Sequence, residues 1–141
     1  MMGCRKIKMK RILLCLLCVI LVFSVTSCDY VSSYKALMFV RMERGDHGSI
    51  SFSSLSGTYV MKLRMSGKGQ EGSIHCVASL GEGEINVYYD SLGVKEFLFN
   101  LKAGESIDEH LGYFESGRTV YIIIETVNTA KQGKIEIDLC K

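Results

Sequence analysis

The sequence contains no proline and no tryptophan, and only three of its 141 residues are histidine. Without proline the chain cannot form a stiff polyproline linker, so its turns must be built by glycine, of which there are 14, and by Asn, Asp and Ser. The lack of tryptophan removes the largest aromatic surface that a binding site can offer. A chain of this length is expected to form one domain.

A block of basic residues is also missing from most of the chain, although the formal net charge is +2. Residues 1–27 contain five basic residues and no acidic ones. The remaining 114 residues therefore carry 12 Lys and Arg against 15 Asp and Glu, a net charge of −3. Such a mixed, weakly acidic surface lacks the electrostatic footprint of nucleic-acid binding, and no nucleic-acid partner is expected.

The first 28 residues are laid out like a secretory signal. Basic residues between positions 5 and 11 precede an apolar run of 12 residues at 12–23, and small residues follow before Cys28. A helix of that length spans about 18 Å, whereas the apolar core of a bilayer is about 30 Å thick. The segment is therefore predicted to be a cleaved signal at 1–27 and not a permanent transmembrane helix.

The end of this segment resembles the lipobox of bacterial lipoproteins. Val25, Thr26, Ser27 and Cys28 occupy its aliphatic, small, small and cysteine positions, although leucine is commoner where Val25 stands. The resemblance implies a diacylglyceryl thioether on Cys28, and cleavage between Ser27 and Cys28. Two acyl chains, such as palmitate, make a stable membrane anchor, whereas one chain binds only marginally. A cleaved signal without lipid is the alternative.

The lipoprotein resemblance also implies a location and a partner. The mature chain would be held on the outer face of the cytoplasmic membrane by the lipid on Cys28. In two-membrane bacteria Asp29 resembles a signal for retention at the inner membrane, and in one-membrane bacteria it has no such meaning. Residues 28–35 would form a short tether before a domain at 36–141, since the seven residues 29–35 reach at most about 25 Å.

From residue 36 onward, apolar residues alternate with polar ones, which is the pattern of β-strands. Turn clusters such as Ser56-Gly57 and Gly81-Glu82-Gly83 separate the runs. The pattern predicts an antiparallel β-sandwich, with the jelly roll as one form of it and a closed barrel as the alternative. The eight candidate strands lie at 36–42, 50–52, 59–65, 74–80, 85–89, 97–101, 120–124 and 135–139.

The stretch 102–117 is the longest without a clear strand pattern and is predicted to be a loop. It contains Glu105, Asp108, Glu109 and His110, whose oxygens and imidazole could bind an ion or ligand or transfer protons. The alternative is a solvated acidic loop. No EF-hand or zinc spacing is present, so neither a metal nor a cofactor is expected. No nucleophile motif is present either, and no catalytic residue is assigned.

Two cysteines remain in the predicted domain, because Cys4, Cys15 and Cys18 belong to the leader. An exported pair invites a disulfide. Cys76, however, shares the apolar face of its strand with its neighbours, while Cys140 has the opposite parity to the apolar residues beside it. The alternation therefore opposes a bond between them. It also excludes a zinc site at His75 and Cys76, since adjacent strand residues point to opposite faces.

Outward-facing tyrosines offer a second candidate site. Tyr88 and Tyr121 should point away from the apolar face of their strands. Together with Asn86 and Asp90 they could stack on a sugar and bind its hydroxyls. The alternative is that tyrosine occurs there only because it suits a strand.

Two functions follow as hypotheses. The first is a noncatalytic binding module for a glycan or a protein ligand, which an aromatic surface with polar neighbours would favour. The second is a structural or accessory subunit of an envelope complex, which an exposed apolar patch or sheet edge would favour. An enzyme that uses residues 105–115 is a third class for which the sequence offers no motif.

Overall fold

The computed structural model describes residues 9–16 and 30–141. Residues 9–16 form a helix with exposed side chains. No helix in these two ranges is long and apolar enough to span a bilayer. The lipobox positions 25–28 lie outside the described residues, so cleavage and lipidation remain predictions.

Nine strands make up residues 33–140, and every pairing between them is antiparallel. In chain order they are β1 (Ser33–Leu37), β2 (Val40–Arg44), β3 (His47–Leu63), β4 (Glu71–Glu82), β5 (Glu84–Asp90), β6 (Glu96–Lys102), β7 (Ser106–Glu115), β8 (Val120–Thr126) and β9 (Ala130–Cys140).

Strand β3 connects the two layers of the fold. Its first part, residues 47–55, pairs with β9, and its second part, residues 58–63, pairs with β8. Leu55 pairs with both β1 and β9, and Thr58 pairs with both β1 and β8. Strands β8 and β9 must therefore lie end to end along one edge of β3, with β1 and β2 along its other edge.

This register divides the sheet into two layers. The first layer has the order β6-β5-β8-β3, and the second has the order β7-β4-β9-β3-β2, while β1 pairs with β3 on both sides of Gly57 and so runs across the bend. The chain crosses between the layers at β4–β5, β6–β7 and β8–β9 and within β1 and β3, and these crossings form one crease. The fold is an antiparallel β-sandwich, as predicted. Its strands lie in five long rows, each of which bends at the same level: β6–β7, β5–β4, β8–β9, β3 and β1–β2.

Gly57 permits the bend in β3. Its φ is +117°, and a Cβ at this position would lie 2.3 Å from the carbonyl oxygen of Ser33 in β1. A side chain would therefore collide with the neighbouring backbone as well as strain φ. Gly57 nevertheless pairs with Tyr34, so the ladder between β1 and β3 continues through the bend.

A single apolar core fills the space between the layers. Alternate residues of the strands other than β2 point into it, such as Ile85 and Val87 from the first layer and Ile74 and Ile137 from the second, all four of them fully buried. Burial of one such aliphatic side chain contributes about 1.5–3 kcal/mol. The core therefore fixes which face of these strands remains outside.

Three details of the predicted strand pattern are wrong. The predicted strand 36–42 is interrupted at Met38, where φ is +47°, and forms β1 and β2. The predicted turn at Ser56-Gly57 lies within β3, because Gly57 bends the strand without ending it. The predicted loop 102–117 contains β7, an edge strand whose many polar residues hide its alternation.

Candidate functional site

The outer face of the first layer carries exposed aromatic rings beside amides, and we call it the aromatic face. Because Ile85, Val87 and Tyr89 of β5 are buried, Asn86 and Tyr88 point outward, as the alternation predicted. The face consists of Asn86, Tyr88, Lys95, Phe97, Asn100, Tyr121 and Glu125, contributed by β5, β6, β8 and the segment before β6.

Tyr88 and Phe97 form the aromatic centre of this face. They are opposite each other on β5 and β6, and their ring centroids are 5.9 Å apart in an edge-to-face arrangement. Phe97 is 59% exposed, which is unusual for so large an apolar side chain. The ammonium of Lys95 lies 4.3 Å from the centroid of the Tyr88 ring and 2.6 Å from a carboxylate oxygen of Glu125. One side of the Tyr88 ring is thus covered by a cation, while Phe97 is open.

Polar side chains lie next to this aromatic pair on the same outward face of β5 and β6. Asn86 and Asn100 are opposite each other in the ladder, and the Asn100 amide donates to Asn86 Oδ1 at 2.8 Å. The same amide nitrogen donates to Glu84 Oε1 at 2.9 Å. These hydrogen bonds hold two amides and a carboxylate beside the aromatic rings, which is a suitable arrangement for hydroxyl-bearing ligands.

Two other residues predicted for this site have structural contacts. The Tyr121 ring lies outward but packs against Tyr30, with centroids 5.3 Å apart. Asp90 is buried, and its carboxylate accepts hydrogen bonds from the Tyr30 hydroxyl at 2.6 Å and the Gly93 N–H at 2.7 Å. Asp90 was therefore wrongly predicted as a ligand contact. It joins the N-terminal segment to the end of β5.

The outer face of the second layer carries all three histidines of the chain, and we call it the histidine face. The strand register aligns His110 with His75, His75 with Asp138, and Asp138 with His47, in one row across four strands. The rings of His75 and His110 are stacked with centroids 4.5 Å apart. This row was not predicted from the sequence, because His47, His75 and His110 are far apart along the chain and strand register cannot be inferred from spacing alone.

The four residues predicted at 105–110 do not form one site. Asp108 and His110 lie on the histidine face, where an oxygen of Asp108 is 2.6 Å from His75 Nε2. Glu105 accepts a hydrogen bond from the Lys102 N–H at 2.8 Å and so closes the turn between β6 and β7. Glu109 has the opposite parity and is opposite Cys76 in the ladder. Within residues 9–16 and 30–141, no group of three or more His, Cys, Asp or Glu is placed to hold a metal ion.

The histidine face also lacks a continuous catalytic relay. Ser73 Oγ lies 3.3 Å from His110 Nδ1, whereas Asp108 bonds to His75. A serine nucleophile requires base and carboxylate on the same imidazole, and here the two interactions involve different rings. A pocket of about 320 Å³ lies next to the row, near the lower limit for small-ligand sites. Its lining combines apolar and polar side chains: Val77, Ala78, Ser79, Ser106, Ile107, Asp108, Lys134 and Glu136.

The two cysteines of the domain are free thiols in the structure. Cys76 lies in the core, where burial raises the pKa of its thiol to about 12. Cys140 is opposite Ser73 in the ladder and is partly exposed. The two side chains therefore lie on different sides of the second layer, in agreement with their parity.

A third exposed surface lies at the junction of β1 and β2, and we call it the apolar corner. It consists of Leu37, Met38, Val40 and Met42, which are 49–84% exposed. Strands β1 and β2 pair with β3 along one edge, and no other strand in residues 30–141 pairs with them. The corner thus combines apolar side chains with a sheet edge, as a protein interface does.

Comparisons with known proteins identify no family. No protein-family model and no curated protein matches the chain. A mutant of the carbohydrate-binding module CBM29-2 complexed with mannohexaose aligns with a TM-score of 0.39 and 14% identity, over 78% of this chain and 91% of that one. A CBM4 structure aligns with a TM-score of 0.41 and 13% identity, over 78% and 80%. Likenesses this low assign neither a family nor a ligand to this chain.

Proposed function

We propose that this chain is a noncatalytic binding module that binds a glycan through the aromatic face, and that lipid on Cys28 anchors it to the outer face of the cytoplasmic membrane. The observation that carries the glycan proposal is the pairing of Tyr88 with Phe97 next to the pairing of Asn86 with Asn100. Support for the anchor comes from the lipobox resemblance at 25–28.

The chemistry of the aromatic face suits a sugar. A pyranose ring presents apolar C–H groups on its flat faces and hydroxyls at its edge. An exposed ring such as Phe97 can pack against the C–H groups, while the amides of Asn86 and Asn100 can exchange hydrogen bonds with the hydroxyls. Lys95 covers Tyr88 in the free protein, so Phe97 is the ring on which a sugar would first stack.

Phe97 is the residue that tests this proposal. The purified protein would be titrated calorimetrically with soluble wall-glycan fragments and with gluco- and manno-oligosaccharides. Phe97→Ala is expected to weaken binding at least about tenfold, since a stacked ring contributes on the order of 1.5 kcal/mol or more. Phe97→Tyr, which keeps the ring, should bind nearly as wild type.

A matched control lies on the other face of the molecule. His110→Ala also removes a ring from an edge-strand region, but it should leave glycan affinity unchanged. The proposal fails if none of these glycans binds, or if Phe97→Ala and His110→Ala weaken binding equally. Turnover of a glycan that Asp108→Asn or His110→Ala abolishes would instead favour an enzyme at the histidine face.

The lipid anchor has a separate test. Cys28→Ala should leave an unprocessed precursor that incorporates no labelled palmitate, because the acceptor thiol is missing. Cys15→Ala, a cysteine within the leader, should be processed and labelled like wild type. Processed, lipid-labelled Cys28→Ala protein would contradict the anchor.

The apolar corner favours a second candidate function, that of an accessory subunit in an envelope complex. Crosslinking in intact cells followed by mass spectrometry should then capture one protein in near-equal amount. Met38→Glu and Val40→Glu should abolish that capture, whereas Phe97→Ala should not. Loss of capture in Phe97→Ala alone would place the interface on the aromatic face.

A further inference from the structure

The described domain begins at one end of the sandwich, opposite the crease. The Tyr30 hydroxyl donates to Asp90 at the end of β5, and the Tyr30 ring packs on Tyr121. Ser32 Oγ accepts a hydrogen bond from the Val60 N–H at 2.9 Å. Cys28 precedes Tyr30 by two residues, which span at most about 7 Å. A lipid on Cys28 would therefore bring this end of the domain to the bilayer surface.

The loop 91–95 projects from the same end. Asp90 holds both the loop and the N-terminal segment, since one carboxylate oxygen accepts from Gly93 and the other from Tyr30. Two apolar side chains of this loop are exposed, Leu92 by 52% and Val94 by 64%. They bury little in the domain, so their transfer into an apolar phase would be favourable by about 25 cal/mol per Å².

Basic side chains lie at this end too. Arg64 and Lys68 are exposed just beyond β3, and Arg118 is exposed just before β8. Leu63 is opposite Val120, and Asp90 is opposite Tyr121, so the ends of β3 and β5 flank β8 at about 10 Å from each other. Acidic Glu96 and Glu115 are nearby, and Glu115 pairs with Arg118 at 3.6 Å. The Arg64 N–H donates to the Gly45 carbonyl at 2.8 Å, so the exposed Arg44 and Asp46 lie at this end as well. Arg64 and Lys68 follow the end of β3, where they can meet anionic lipid headgroups.

We propose that this end of the sandwich is a bilayer-docking rim. Leu92 and Val94 enter the interfacial region of an anionic membrane, and Arg64 and Lys68 contact its headgroups. The inference rests on the proposed anchor at Cys28 for the orientation of the domain. In this orientation the strands stand upright on the membrane, so the aromatic face and the histidine face both look sideways and remain open to ligands.

The rim is tested with an environment-sensitive fluorophore on single cysteines. The processed protein, purified from membranes with Cys140→Ser, would carry Val94→Cys at the rim or Lys102→Cys near the crease as the matched control. In vesicles of phosphatidylglycerol, the label at 94 should shift to the blue and be quenched by bilayer-embedded spin-labelled lipid. The label at 102 should show neither effect, and in detergent the quenching should disappear.

The lipid composition and two further variants test the chemistry of docking. Quenching at 94 should fall severalfold when phosphatidylcholine replaces phosphatidylglycerol, and Arg64→Gln with Lys68→Gln should remove most of that dependence. Leu92→Ser, combined with the label at 94, should reduce quenching without changing the unfolding transition. Equal emission from positions 94 and 102 in vesicles would overturn the rim.

Mass spectrometry of the N-terminal peptide from the same sample shows whether Cys28 carries lipid, independently of the quenching at position 94. Lipid on Cys28 with an unquenched label at 94 would refute the rim and leave the anchor standing. If the peptide is unlipidated, Cys28 is a free thiol and the labelling is repeated in Cys28→Ser; a quenched label at 94 in that protein would refute the anchor and leave the rim. An unlipidated peptide with an unquenched label would refute both.

Discussion

The aromatic face and the histidine face belong to the same folded sheet, yet they were assembled in different ways. Tyr88, Phe97, Asn86 and Asn100 come from two consecutive strands joined by a short turn. His47, His75, His110 and Asp138 come from four strands that are distant in sequence. A local hairpin can be inferred from alternation, whereas a row across distant strands depends on the register of the whole sheet.

The two faces also differ in what a ligand could gain. Phe97 is an open apolar ring, so a ligand that covers it gains burial free energy. The imidazoles of the histidine face already have partners, with His47 2.5 Å from Asp138 and His75 2.6 Å from Asp108. Contacts between exposed polar side chains contribute only about 0–1 kcal/mol to stability, but a ligand there would have to replace them. The difference favours the aromatic face as the binding surface.

Gly57→Ala should have the largest effect, because β3 is the strand that both faces share. We expect the free energy of unfolding to fall by about 2–4 kcal/mol, from strain at positive φ together with the collision with β1. Gly104→Ala, where φ is +78° and no heavy atom lies within 4 Å of the added Cβ, should cost only about 1 kcal/mol. Urea unfolding measures both, and equal losses would show that Gly57 is not a special constraint on the bend.

Asp90→Ala should act on the first layer and should have an intermediate effect. It removes a buried carboxylate and leaves the Tyr30 hydroxyl and the Gly93 N–H without their acceptor, so unfolding should become easier by about 1–3 kcal/mol. Asp138→Ala, which removes an exposed carboxylate from the histidine face, should cost less than about 1 kcal/mol. Native-state hydrogen exchange would show whether residues 30–32 and 91–95 loosen only in Asp90→Ala. A larger loss of stability in Asp138→Ala than in Asp90→Ala would contradict this prediction.

Ionisation of Cys76 should have no effect on stability at neutral pH and should reduce stability only at alkaline pH. Its thiol pKa is raised from 9.0 to about 12 in the folded domain, because burial disfavours the thiolate. The unfolded chain ionises first, so stability is lost as pH rises from about 9 towards 12. Cys76→Ala should reduce this slope in urea unfolding series, whereas Cys140→Ala should keep it. An unchanged slope in Cys76→Ala would show that tyrosines account for the whole dependence.

Alternation along the chain was sufficient to predict the sandwich class, most of the strands, and the outward direction of Asn86, Tyr88 and Tyr121. It failed for β7, because an edge strand with polar residues on both sides has no apolar stripe. It also failed at Gly57, since a glycine can bend a strand without ending it. The alternation predicts Asp90 at the surface, because it contains no information that Tyr30 folds back over the end of β5.

The sequence by itself determined the strand periodicity and the opposite faces of Cys76 and Cys140, and it predicts a leader from the lipobox resemblance at 25–28. These properties depend on neighbouring residues and on the twofold repeat of an extended chain. Only the tertiary structure decided that the histidines form a row, that Phe97 stays open beside Tyr88, and that Leu92 and Val94 lie at the same end as Tyr30. Those relations depend on how the strands pair and where the sheet bends. A shift of the register by one residue would turn the outward side chains of a strand towards the core.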